Sequence, residues 1–384
     1  MEHIYLDNAA TTPMDPAVIE TMTQAMRTVF GNASSIHFFG RQARKVLDDS
    51  RHLIAQSINA TQDDQIVFTS GGTESDNTAI IETALARQNQ GKHLISTAIE
   101  HEAILKPLKY LEGLGFEVTY LPVDQQGLIS LADLKEALRP DTTLVSIMMG
   151  NNEVGSHQPI HEIGQIVAAS NAWFHTDAVQ AYGLLDIDVQ ADQIDLLSTS
   201  AHKLNGPKFL GFLYRSNRVK IPSLIKGGDQ ELKRRAGTEN IPAIAGFAKA
   251  VSLLDSKTKA AKQAKYAELQ QQLLRGLKTN GVDFAVNGGQ SPDKLQHVLN
   301  LWFKGCQSVP LLTNLDLHGI AASAGSACTA GSVEPSHVLT AMYGATSPRL
   351  QESLRFSFGS QNTAKDITYL VDVLTKITQK LKRS

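Results

Sequence analysis

The sequence predicts an α/β protein. A large domain carries a mostly parallel seven-stranded sheet covered by helices, and a smaller α+β domain follows it. Three observations predict this. Seven short apolar runs of strand length lie between residues 65 and 215, most of them separated by helical segments. That alternation suits parallel strands joined by helices on both faces of a sheet. Near residue 250 it gives way to one long helix and two further strand-like runs. The length, 384 residues, also exceeds what one hydrophobic core usually serves. The expected division is an N-terminal segment, 1–14, packing with the smaller domain, a large domain over 15–255, and a small domain over 256–384.

The elements follow in order. In "DPAVIETMTQAMRTVFG", Asp15 is placed to cap a helix, Pro16 suits its first position, and Val18, Met22, Met26 and Val29 recur at helical spacing. A second helix runs through "RQARKVLDDSRHLIAQSI". The strand runs are "QIVFTS" (65–70), "HLISTA" (93–98), "FEVTYLPV" (116–123), "TLVSIMM" (143–149), "WFHTDA" (173–178), "DLLSTS" (195–200) and "GFLYR" (211–215). The long helix of "LLDSKTKAAKQAKYAELQQQLLRGLKTNG" ends at Asn280 and Gly281, and its lysines are expected on a solvated face. Beyond it, "HVLNLWF" and "SLRFSF" read as strands.

Composition narrows the functional classes. Charged residues make up 19% of the chain and the net charge is -2, so no whole-chain basic field favours direct nucleic-acid binding. Two cysteines in this length argue against a disulfide scaffold and for a reducing compartment. The sequence has no apolar run long enough to span a membrane and no signal-like N-terminus, so a cytoplasmic location is expected. His157 and His161 share a helical metal spacing, but Pro159 stands between them and no Glu follows His157; no metal site is expected.

In parallel sheets, ligands bind where strands end. After 65–70 come Gly71, Gly72 and Thr73, a turn into a helix whose free N–H groups suit an anion; Thr73 and Asp76 match a capping box. His101 follows the next strand, flanked by Glu100 and Glu102. "NNEVG", with Asn152, follows 143–149. Asp177 closes 173–178, with Gln180 three residues on. Ser200, His202 and Lys203 follow 195–200. Singly these are weak signals. Together they suit pyridoxal 5'-phosphate: a strand-end lysine for an imine with the aldehyde, an aspartate to keep the pyridine nitrogen protonated, a glycine turn for the phosphate and a histidine to stack and move protons. In "SLRFSF", Arg355 alternates with apolar residues and offers the planar fork that holds a carboxylate.

The ordered stretches "YLDNAATTP" (5–13), "GNASSIHFFG" (31–40), "TSGGTESDN" (69–77), "EHEAI" (100–104), "GNNEVG" (150–155), "HTDAVQA" (175–181), "STSAHKLNGPK" (198–208), "RAGTEN" (235–240) and "SAGSACTAGSVEPSHVL" (323–339) resemble cysteine desulfurases of the NifS/IscS-like group. These are class V aminotransferase relatives among the fold-type I pyridoxal-phosphate enzymes. The resemblance implies that Lys203 holds the cofactor, Asp177 faces the pyridine nitrogen, Gln180 donates to the phenolic oxygen and His101 stacks and relays protons. It implies a phosphate cup of Gly72, Thr73, Ser200 and His202, with Thr238 reaching in from a second subunit of a homodimer. Asn152 and Arg355 would hold the carboxylate of L-cysteine. Cys328 would take the sulfur as a persulfide and pass it to an acceptor protein, for iron–sulfur assembly or for tRNA or cofactor thiolation.

Departures occur at Ala33, Asn205, Phe209, Asp229, Leu232 and Lys233, which replace residues more usual in the group. A selenocysteine lyase or another class V lyase or aminotransferase is the alternative within the fold, and a sulfur-relay docking scaffold the alternative outside enzymes. Cys306, in "FKGCQS", reads as structural. The small residues around Cys328 suit a loop that leaves the thiol accessible, and weak order is expected over residues 323–333.

Overall fold

The computed structural model describes residues 3–324 and 335–381. Twelve strands are present among them: β1 (Ile4–Tyr5), β2 (Ile66–Thr69), β3 (His93–Thr97), β4 (Glu117–Leu121), β5 (Thr142–Ser146), β6 (Trp173–Asp177), β7 (Leu196–Ser198), β8 (Gly211–Arg215), β9 (Phe284–Asn287), β10 (Val298–Phe303), β11 (Ile320–Ala321) and β12 (Ser353–Ser357). All seven runs expected between 65 and 215 are strands of one sheet, ordered β2-β8-β7-β6-β5-β3-β4. Only β8 runs against its neighbours. The other six therefore end on the same side, and that shared edge gathers the residues after β2, β3, β5, β6 and β7.

Local chemistry explains the element boundaries. The helix Pro16–Thr28 starts as expected: the Asp15 carboxylate accepts from Ala17 N at 2.8 Å, and proline at the first turn loses no helical hydrogen bond. Phe38–Ser57 and Ile241–Ser252 pack with it over one side of the sheet, in a core that includes Val18, Leu47, Ile54, Phe212 and Phe247. The long helix Ser256–Thr279 ends at Asn280 with Gly281 at φ 71°, a left-handed turn that suits glycine. Its lysines correct the expectation of a uniformly solvated face. Lys259 is buried, with Nζ 3.1 Å from Asp186, and burial lowers the Lys262 amine.

The sheet β12-β10-β9 is antiparallel. It shares a second core with the helices Ser256–Thr279, Ser308–Leu317 and Ala364–Leu381, built on Leu273, Leu301, Phe303, Phe356 and Leu374. Cys306 is buried in this core. The N-terminal segment packs against the same unit: β1 pairs with β11, and Asp7 bridges to Ser357. No helix among the described residues is long and apolar enough to cross a membrane.

Several departures from the group's residues fall where the backbone is left-handed. Asn205, Phe209, Leu232 and Lys233 have φ of 62°, 58°, 56° and 67°. A side chain there costs on the order of 1 kcal/mol relative to glycine.

Candidate active site

Lys203 closes a short turn, Ala201–Lys203, immediately after β7. Its amine donates to the carbonyls of Ala9 (2.6 Å) and Ala10 (2.9 Å). Thr12 N and Oγ1 bind the His202 carbonyl at 3.0 and 2.7 Å, and His202 Nδ1 lies 3.0 Å from Thr11 Oγ1. Residues 9–12 are thus laid across the lysine. Burial, reinforced by the positive charge of Arg355, lowers the Lys203 amine to about 8, against the pull of Asp177 and Asp7. A lysine at that value supplies the neutral amine that attacks an aldehyde.

Asp177 ends β6 and is buried, with Oδ1 accepting from Val179 N at 2.8 Å. Burial raises its carboxyl, while the charges of His101 and Lys203 oppose the rise. His101 caps the helix Glu102–Gly113: its Nδ1 accepts from Ala103 N at 3.1 Å, so the neutral ring carries its proton on Nε2. Part of the ring is open to solvent, yet desolvation still holds the imidazole below its ordinary value, with Asp177 pulling it up. Gln180 donates from Nε2 to Ala9 O at 3.0 Å, and its Oε1 lies 2.9 Å from His297 Nε2.

After β2, the helix begins at Gly72, and its N-cap is Gly71 with φ 146°. A Cβ on Gly72 would stand 2.7 Å from Val179 Cγ2, and one on Gly71 3.6 Å from Ser200 Oγ. The glycines therefore bring the backbone close to Ser200, with Thr73 exposed beside them. The capping box does not form. The group that reaches back is Glu74, which accepts from Ser70 N at 2.8 Å, whereas Asp76 is buried near His175 (3.7 Å) and Ser198. Thr238 is exposed on the loop that follows Lys233. That loop is tied down by Arg235, which pairs with Glu74 at 2.9 Å, and in the helical turn before it buried Glu231 takes both Arg51 nitrogens at 2.7 Å and Phe68 N at 2.8 Å.

Arg355 stands in β12, opposite Asn300 on β10 and bridged to Ser323 on its other side. Every residue of β12 is buried, which corrects the expectation that alternate side chains would be presented. The guanidinium donates to the Asn152 backbone carbonyl at 3.0 Å and to Asp7 Oδ1 at 2.7 Å. Its Nε is buried with no partner among the described residues. Asn152 enters the site through its main chain, while Asn151 secures the turn by accepting from Glu153 N and Val154 N at 2.8 and 3.0 Å. Cys328 lies outside the described residues, as does the expected mobile stretch from 325 onward. Its chain neighbours on either side are placed. Ser323 exchanges hydrogen bonds with Arg355 at 2.6 and 3.1 Å, Ser336 donates to Glu153 at 2.5 Å, and His337 Nε2 lies 2.8 Å from the Glu100 carbonyl.

Sequence reasoning missed four contributors. Asp7 and the Ala9 carbonyl lie within "YLDNAATTP", but no local pattern shows that this segment crosses to Lys203 and Arg355. His297 precedes an ordinary strand. Glu100 is fully buried, with Oε1 accepting from Thr97 Oγ1 (2.7 Å) and Met148 N (2.9 Å), and burial raises it to about 8. A carboxylate directly before a strand-end histidine was the available signal.

This donor set fits pyridoxal phosphate. A buried carboxylate, Asp177, lies in the field of Lys203 and His101, the lysine amine is held below its ordinary value, and a two-glycine helix start lets the backbone approach Val179 more closely than a Cβ on Gly72 would allow. The Arg355 guanidinium, whose buried Nε has no partner among the described residues, is a donor of the kind that suits a carboxylate.

Comparison with known proteins agrees. The class V aminotransferase family model matches residues 4–370. A protein of Bacillus subtilis (strain 168) described as putative cysteine desulfurase IscS 1 is 54% identical over 382 residues, covering 98% of this chain and 100% of its own. A solved structure titled NifS-like protein superposes with a TM-score of 0.90 at 33% identity, covering 100% of both chains. Another, titled SspA in complex with cysteine, has a TM-score of 0.80 at 36% identity, covering 92% of this chain and 98% of that one.

Proposed function

The chain belongs to the class V aminotransferase family, within which it is a pyridoxal-phosphate-dependent cysteine desulfurase, and from that premise we propose how its residues divide the work. When bound, pyridoxal phosphate supplies the aldehyde carbon and the electron sink. Lys203 is the residue that holds the cofactor and afterwards accepts the Cα proton of L-cysteine. Asp177 keeps a proton on the ring nitrogen, and Gln180 faces the phenolic oxygen. His101, with Nδ1 committed to its own helix, carries its exchangeable proton on Nε2. Gly72, Thr73, Ser200 and His202 receive the phosphate. Arg355, held by Asp7 and the Asn152 carbonyl, orients the substrate carboxylate. The observation that carries this reading is the placement of the Lys203 amine, which donates to the Ala9 carbonyl that Gln180 Nε2 also reaches.

Cys328 is the proposed sulfur acceptor. Its thiolate attacks the substrate sulfur, an S–S bond forms, the C–S bond breaks, and the carbon fragment leaves as alanine after protonation. Cys328 is five positions after Ser323, a span of at most about 18 Å, and the Ser323 backbone is bonded to Arg355. Cys306, by contrast, is buried.

A homodimer is the proposed assembly. Phe30, Ile36, Phe38 and Phe39 are 73%, 92%, 58% and 46% exposed, and the Phe30 and Phe39 ring centroids lie 4.8 Å apart with the rings tilted by 36°. Such an apolar patch marks a contact surface, and Thr238 is proposed to serve the site of the partner subunit. The proposed setting is cytoplasmic, with a protein sulfur acceptor in iron–sulfur assembly or in tRNA or cofactor thiolation, and no direct nucleic-acid contact. The test is incubation with L-cysteine. Alanine and sulfide are quantified, the persulfide is mapped by mass spectrometry, and borohydride reduction locates the cofactor. Sulfur on Cys306, cofactor on a lysine other than 203, or full sulfur release by Cys328→Ser would overturn the assignment.

A further inference from the structure

His297 lies 117 residues from Gln180 in sequence, yet its Nε2 is 2.9 Å from Gln180 Oε1. The direction of this hydrogen bond follows from the network. The Ala9 carbonyl only accepts, and it already takes Lys203 Nζ at 2.6 Å. The Gln180 atom facing it at 3.0 Å must therefore be the amide nitrogen, since the reversed amide would set two oxygens against each other. Gln180 then presents its oxygen to His297, and His297 must donate from Nε2. Its other nitrogen, Nδ1, is buried with no partner among the described residues. A bare lone pair there costs less than an unpaired N–H, so the network favours the neutral ring with its proton on Nε2. Burial and the charges of Lys203, Arg355 and Lys294 act the same way, lowering His297 to about 3.

We propose that His297 is a positioning residue: by donating from Nε2 to Gln180 Oε1, it fixes which end of the Gln180 amide is turned toward Ala9 and Lys203. The proposal rests on the role assigned above to Gln180 as donor to the cofactor's phenolic oxygen. The Ala9 carbonyl supplies one of the two contacts that orient this amide and His297 the other, so loss of His297 leaves the amide held at one end only. Through Ala9 O, the same chain of hydrogen bonds links the orientation of Gln180 to the resting place of the Lys203 amine.

The test uses three variants of the holoenzyme. His297→Leu removes the donor at similar volume. His297→Gln keeps an N–H near the position of Nε2. Gln180→Leu removes the amide itself. The readout is the pH midpoint of the bound cofactor's visible band, read beside the melting temperature. A lost hydrogen bond to a charged oxygen moves such a midpoint by about one pH unit. The expected result is that shift in His297→Leu and in Gln180→Leu, with the wild-type midpoint restored in His297→Gln. If His297→Leu loses the cofactor while folded, recovery of binding in His297→Gln gives the same answer. An unshifted His297→Leu, or equal shifts in His297→Leu and His297→Gln, overturns the proposal. An unshifted Gln180→Leu sinks the Gln180 assignment instead, which separates the two failures. Nitrogen-15 spectra of the cofactor-free protein give an independent check: a His297 proton on Nδ1 would also overturn it.

Discussion

Arg355 is the residue whose replacement separates two effects that the geometry combines. The residue is 4% exposed, and its guanidinium is aimed by two bonds, to Asp7 at 2.7 Å and to the Asn152 carbonyl at 3.0 Å. It also supplies the second-largest influence, after burial, lowering Lys203 from 10.5 to about 8. Arg355→Lys keeps the charge but loses the fork. One ammonium cannot hold Asp7, Asn152 and a substrate carboxylate in a plane. Losing one charge-assisted hydrogen bond costs about 1.5–3 kcal/mol, so the KM for L-cysteine should rise by about 10- to 150-fold. The Lys203 midpoint should stay near its value. Arg355→Leu keeps bulk but loses the charge, and the midpoint should move up while remaining below 10.5, because burial persists. The assays are steady-state alanine release across L-cysteine concentrations and the pH dependence of Lys203 labelling by an amine reagent in cofactor-free protein. An unchanged KM in Arg355→Lys would refute the carboxylate-fork reading. An unmoved labelling midpoint in Arg355→Leu would refute the electrostatic link to Lys203.

Further predictions follow from buried charges. Asp177→Asn preserves shape but not charge, and kcat should fall by at least about 100-fold while equilibrium dialysis still detects cofactor, since a buried charged hydrogen bond is worth about 3 kcal/mol. Glu231→Ala should lower the unfolding free energy by about 3–5 kcal/mol in urea titrations, because it leaves the buried Arg51 guanidinium without its carboxylate. Glu100 has a folded value of about 8 against an ordinary 4.5, so the folded protein retains a proton that the unfolded chain releases. Its contribution is full below about pH 4.5 and is lost as pH rises toward 8. Glu100→Gln removes that dependence, and its stability relative to wild type should grow between pH 5 and 8 by at most about 1.4 kcal/mol per unit. A constant difference across that range would show that Glu100 is ionised in the folded protein.

Much of this site was legible before any coordinates, for a physical reason. Strand runs are local patterns, and parallel strands end on one edge, so the residues following β2, β3, β5, β6 and β7 had to meet. Lys203, Asp177, His101 and Gly72 could thus be picked by position alone, and the family resemblance assigned their roles. Helix starts were legible for the same reason where the capping group is a neighbour, as at Asp15. They failed at Asp76, where burial beside Asp177 and His175 outweighed a local hydrogen bond. Tertiary packing alone decided the partners that tune these groups. Ala9 meets Lys203 across 194 residues, Asp7 meets Arg355 across 348, and His297 meets Gln180 across 117. No periodicity encodes such pairings. They exist because the N-terminal segment is pinned to β11 and β12 on one side and to the Lys203 turn on the other. The chain's order chose the chemical groups, and the packing of that segment set their charges, tautomers and aim.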